Sequence, residues 1–210
     1  MHRLHAGLLV LALTGTATAD DVLAPPEIID VPAECAHYWT NPGGVTSPPG
    51  WNPILSFASC TQRVTVGRVE RVEMLPGLVD QLQLEVLPSL QWYFWVVKHG
   101  PDTAKLRAAF LIAMTEVSVM TRARSSIVAG CAHHAELHAR LEPLLLPQAR
   151  LALMVFTAID DVATANPALA PDLATRNMVR AARVQARALA RGLERDEDED
   201  DVEDRPILAR

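Results

Sequence analysis

The run CAHHAELHAR, Cys131 to Arg140, sets one cysteine and three histidines within eight residues. Thiolate and imidazole are ligands that zinc prefers, so metal binding is the first chemistry to weigh. Read as a helix, the run places Cys131, His134 and His138 within an arc of about 60°, while His133 and Glu136 point elsewhere. His134 and His138, at i, i+4 spacing, can present two imidazoles to one Zn²⁺ or similar ion at about 2.0 to 2.1 Å. That is half a site, because structural zinc takes four protein ligands and catalytic zinc three plus water.

Cys131 is a poor third ligand. Helical side chains lean toward the N-terminus, so His138 leans toward His134 and Cys131 leans away from both. The H-E-x-x-H order of zinc proteases is absent, since Glu136 stands between His134 and His138 at the wrong position. His37, His99, Asp160 and Asp161 are further donors that nothing in the sequence brings near. Packing is the simpler account: Leu137, Leu141, Leu144 and Ile127 define an apolar face with His134 near its middle. A metalloprotein using His134 and His138 is therefore the alternative expectation.

A second pattern is electrostatic. Arg176, Arg180, Arg183, Arg187 and Arg191 fall within about 80° of one another on a helix, opposite Met178, Ala182, Leu189 and Leu193. Like charges at i, i+3 and i, i+4 destabilise a bare helix, so counter-charge is expected. The chain's own acidic end is one source: ten extended residues reach about 33 Å, more than the roughly 22 Å from Arg176 to Arg191. An anionic ligand, lipid surface or protein partner is the other. Nucleic acid is disfavoured by a nearly neutral main body.

The third pattern is covalent. Cys35 and Cys60 enclose a stretch with four prolines and three glycines. Closing such a loop contributes about 3 to 4 kcal/mol in the chain-entropy account, so the pairing predicted is Cys35 with Cys60, leaving Cys131 free. Three small buried thiols are the alternative. Catalytic motifs are missing: there is no G-x-S-x-G, no glycine-rich phosphate loop and no C-x-x-C. The expectation is a non-enzymatic binding or interaction protein of the cell envelope.

The elements that must position these residues follow from the same string. Residues 1–19 carry Arg3, an apolar run from Ala6 to Leu13 and Ala17-Thr18-Ala19, the zones of a secretory signal. Export to a periplasm or the exterior is expected, with Asp20 as the mature start. Residues 20–51 are a proline- and glycine-rich lead-in. Residues 52–194 form the helical domain, and 195–210 a disordered acidic tail. The net charge of −6 belongs to that tail, since Glu194 to Asp204 holds nine acids against one arginine, whereas Asp20 to Leu193 holds sixteen acids against fifteen bases.

Within the domain, Asn52 and Pro53 suit a helix start, with Asn52 as cap. Residues 63–73 fit helix and strand equally, and 89–97 are aromatic enough for a strand, with a buried helix preferred. Pro88 is expected to kink or split the helix from Leu75 to Lys98. A long helix from Lys105 should bend near Ser125 to Gly130. Pro143 and Pro147 should bracket a connection, with Pro147 opening the next helix. Leu106 to Met120 and Leu151 to Ile159 read as core stretches too short to span a membrane. Asn166-Pro167 should stop that helix, and Asp172 cap the last one to about Glu194. The sum is an irregular antiparallel bundle of four to six helices.

Overall fold

A computed structural model describes residues 33–35, 38, 50–62, 67–129 and 131–203, with side chains through 193. The expected signal (1–19) and most of the lead-in lie outside the described residues, as do His37 and 63–66. Among those described, five α-helices and no strands make an all-α bundle. They are α1 (Trp51–Cys60), α2 (Leu75–His99), α3 (Asp102–Ser126), α4 (His134–Ala165) and α5 (Leu173–Glu203). Each packs mainly on its neighbours in sequence, with α4 between α3 and α5 and also touching α2. One apolar core runs through them, with Leu82, Tyr93, Ile112, Leu141, Val155 and Phe156 almost sealed from solvent.

The aromatic stretch 89–97 is helical, as its burial on one side requires: Trp92, Tyr93, Val96 and Val97 are buried while Gln91 is exposed. Prolines depart from expectation. Pro88 lies inside an unbroken α2, and Pro143 and Pro147 both lie inside α4, so no connection separates two helices there. All three rings sit on exposed faces. The carbonyls they leave unpaired, on Leu84, Ala139 and Pro143, are therefore within reach of water. The opposite faces hold the helices in register through Leu141, Leu145 and Ala149, so packing overrides propensity. Because α4 is continuous, it is the one helix among the described residues long and apolar enough to cross a membrane by length and composition. Its Leu137, Val155 and Ile159 face belongs to the bundle core.

The turn after α3 is sharper than a bend. α3 ends at Ser126, and Ile127 pairs with Val69 in an isolated parallel bridge, Val69 N–H donating to the Ser126 carbonyl at 2.9 Å. Both Val69 and Ile127 are buried, so the segment after α1 seals this end of the bundle. The sequence could not choose helix or strand for 63–73: its described part is neither, ending in a single 3₁₀ turn at Val72–Met74.

Caps divide similarly. Asp172 caps α5, accepting from the Thr175 N–H at 2.8 Å. Asn52 does not cap α1, whose preceding residue is Gly50; its side chain accepts instead from Arg107 Nη1 at 3.0 Å. The backbone of α5 runs on through Glu203, past the expected end near Glu194. Residues 204–210 and the side chains from 194 onward, which carry the acidic block, lie outside those described. Cys35 and Cys60 are joined as a disulfide with Cα atoms 5.7 Å apart, and Cys35 is fully buried. A disulfide fits an oxidising compartment.

Candidate functional site

The histidine run is rebuilt by the turn before it. α4 begins at His134, so Cys131 is not on the helix at all and the shared arc expected for Cys131, His134 and His138 does not exist. Cys131 is a free, half-buried thiol packed against the core, its carbonyl accepting from the His134 N–H at 3.1 Å. Ile127 likewise sits in the β-bridge rather than on the face of α4. His133, just before the helix, meets Glu136 at 3.4 Å, away from the other two imidazoles.

His134 and His138 do come together. Their ring centroids are 4.6 Å apart with planes tilted 55°, both rings half-buried. One turn further along the same stripe stands Glu142, which sequence spacing from His138 would have revealed. Its oxygens are occupied: Arg124 of α3 donates from Nε at 2.9 Å and Nη2 at 2.6 Å. That bidentate contact, with the nearby Arg124 and His138 charges, holds the Glu142 carboxyl below the usual carboxylate range although partial burial pushes the other way. Glu142 is thus a poor third ligand. Among the described residues no group of three or more histidine, cysteine or acidic side chains is arranged to hold a metal. His99 lies against Trp95, ring centroids 5.4 Å apart and planes tilted 40°, and Asp160 is engaged by Arg183.

The arginine face stands as its spacing predicts. Val179 and Ala182 are buried and Met178, Ala186, Leu189 and Leu193 pack against the core, which turns Arg176, Arg180, Arg183, Arg187 and Arg191 outward. Asp160 at the end of α4 takes Arg183 in a forked contact, 2.9 to 3.0 Å to Nε and 2.5 Å to Nη2. That contact holds the Asp160 carboxyl below its ordinary value, with Arg187 adding to the field. Arg176, Arg180 and Arg187 remain exposed, and the apolar Leu173 and Val184, 66% and 58% exposed, flank them on the same side. The surface is a basic strip edged with two apolar side chains.

A buried polar layer escaped the sequence reading. Glu116 of α3 is only 3% exposed and meets Gln83 of α2. Gln83 Nε2 approaches its Oε2 at 3.5 Å, a long contact. The surroundings of Gln148 orient its amide with nitrogen toward the Leu144 and Leu145 carbonyls and oxygen toward Gln83 Nε2 at 2.7 Å. Burial pushes the Glu116 carboxyl up to about 7, the Gln83 contact offsetting part of that rise. Elsewhere in the bundle Gln62 donates to Thr115 at 2.7 Å, and Ser59 bonds the Tyr93 hydroxyl at 2.8 Å. A lone glutamate inside a helical pattern gives no sequence signal of such burial. No family model, curated protein or solved structure matches the chain.

Proposed function

We propose that this is an exported, non-enzymatic helical binding protein of the cell envelope whose outer α5 face takes an anionic lipid surface. The carrying observation is the exposed Arg176, Arg180 and Arg187 on a helix whose other side is locked into the core. Like charges held in register are relieved by an anionic partner, and Leu173 and Val184 are placed to enter a headgroup layer beside them. Export is supported by the Cys35–Cys60 disulfide and by the signal-like residues 1–19.

Sedimentation with vesicles tests the reading. The protein should bind vesicles rich in phosphatidylglycerol, not phosphatidylcholine alone, and should release as salt rises. Replacing Arg176, Arg180 and Arg187 together by Gln should weaken binding by about a hundredfold, at about tenfold or less per charge. No binding at low salt would remove the proposal. Because residues 195–203 continue α5 rather than turn back along it, the extended cover expected for the acidic block is not what its backbone forms. Deleting 195–210 then reads its charge alone: stronger binding marks it as a repeller of the anionic surface, and unchanged binding leaves the arginines to the outside partner.

A second reading is favoured by the 4.6 Å approach of His134 and His138. There the pair supplies two ligands to zinc or a similar ion, completed from elsewhere. Metal analysis of the purified protein beside a His134→Ala, His138→Ala variant tests it: stoichiometric metal lost in the variant supports it, and metal-free protein whose stability ignores chelator ends it.

A further inference from the structure

The N-terminal ends of α1, α3 and α5 gather at one end of the bundle around an open cleft of about 670 Å³. That volume is within the range of small-molecule sites. Its walls are apolar, chiefly Trp51, Phe110, Leu111 and Met178, and they are held from behind. Trp51 lies 5.4 Å from Trp95, Trp95 lies 6.0 Å from Trp92, and Phe110 lies 5.8 Å from Phe156. Two charged residues of opposite sign line it, Arg107 of α3 and Asp172 before α5.

Both charges are positioned and both keep capacity to spare. Arg107 gives one contact to Asn52 and makes no ion pair among the described residues. A guanidinium has five N–H donors, so most of its fork is left over. Asp172 accepts from the Thr175 N–H at 2.8 Å and the Thr175 hydroxyl at 3.0 Å, with the Ala174 N–H and the Arg176 charge also favouring its ionised form, which leaves part of its lone-pair capacity for a ligand.

This combination selects among ligands. A simple anion would meet Arg107 but be repelled by Asp172, and a simple cation would meet the reverse. A purely apolar ligand would use the apolar walls but gain nothing from Arg107 and Asp172, both of which are exposed. A molecule carrying one charge of each sign and an apolar body satisfies every wall. We propose that the cleft binds a small zwitterion with an apolar side chain, a free amino acid or a short peptide with both ends uncapped. Its carboxylate meets Arg107, its ammonium meets Asp172, and its side chain lies against Trp51, Phe110 and Met178.

Calorimetric titration of the full chain with phenylalanine, and separately with phenylalanyl-phenylalanine, tests this and tells free amino acid from peptide. One of the two should bind with a dissociation constant of about 1 mM or tighter. N-acetylation or C-amidation of that ligand should each weaken binding about tenfold or more, as loss of a charge-assisted contact does. Arg107→Gln and Asp172→Asn should do the same; asparagine keeps the helix cap, so the second variant changes charge and not fold. The ends are assigned by crossing the two series: acetylation should cost little further affinity in Asp172→Asn, and amidation little in Arg107→Gln. Absence of binding by folded protein, or affinities indifferent to blocking groups and to both variants, would overturn the proposal. Vesicle binding by α5 is read separately and stands or falls without it.

Discussion

Two glutamates on facing helices, Glu116 on α3 and Glu142 on α4, are pushed in opposite directions. Glu142 lies at the rim, where Arg124 grips both its oxygens and water reaches the rest, and its carboxyl is held acidic. Glu116 lies inside, 3% exposed, with a long amide contact in place of a cation, and its carboxyl rises to about 7. Solvent and a cation make the difference. A carboxylate at the surface keeps its charge cheaply, while a buried one keeps it only if a partner replaces the lost water, and a single amide does so in part.

The sharpest way to break that contrast is to remove the inner charge. The folded value for Glu116, about 7, stands above the ordinary 4.5, so the folded state binds the proton more tightly than the unfolded one. The Glu116 contribution to stability is then fullest below about 4.5, falls as pH climbs toward 7, and is level above it. Across that window the loss is about 3 kcal/mol at 1.36 kcal/mol per unit. Glu116→Gln should abolish the slope and leave the variant more stable than wild type at alkaline pH. Urea titrations at acid and alkaline pH check it, and parallel curves for the two proteins would mean Glu116 is already satisfied as an anion.

Next in size is the donor. Gln83→Leu strips Glu116 of its amide contact and leaves the Gln148 oxygen unpaired, at a cost of about 1 to 3 kcal/mol near neutral pH. The same change in a Glu116→Leu background should cost less, because one of the groups left stranded is gone. Equal costs in both backgrounds would place the penalty on Gln148 alone.

What could be read in advance follows the same line between local and tertiary causes. Asp172 is a cap by its own chemistry and its distance from Thr175, and it caps. The five arginines and their opposing apolar residues are spaced by the helix itself, so their facing was legible before any packing was known. Cys35 and Cys60 were legible because the loop between them has so little else to order it. Pro143 and Pro147 misled because a proline's cost depends on whether its ring and orphaned carbonyl face water, which is a tertiary fact. Cys131 misled for a related reason: a helix read through Gly130 put it one face with the histidines, whereas the Val69–Ile127 bridge forces a turn before His134. The Arg107–Asp172 cleft joins residues far apart in sequence and had no local signal.

The smallest effect belongs to the rim, and its smallness is itself informative. Arg124 and Glu142 make the better contact by geometry, two short charge-assisted bonds against one long neutral one, yet both side chains are more than a third exposed. Screening and the entropy of holding two long side chains should reduce the pair to about 1 kcal/mol or less. Its sign opposes that of Glu116. The folded value for Glu142 lies below the ordinary one, so its contribution is present above the ordinary value and fades as pH falls through the folded one. Acidification should therefore relieve the inner glutamate while it loosens the outer. A double-mutant cycle over Arg124→Gln and Glu142→Gln, at low and high salt, measures the coupling. A coupling that shrinks with salt and stays below the Glu116→Gln gain keeps the contrast. A larger, salt-insensitive coupling would show that the rim behaves as interior.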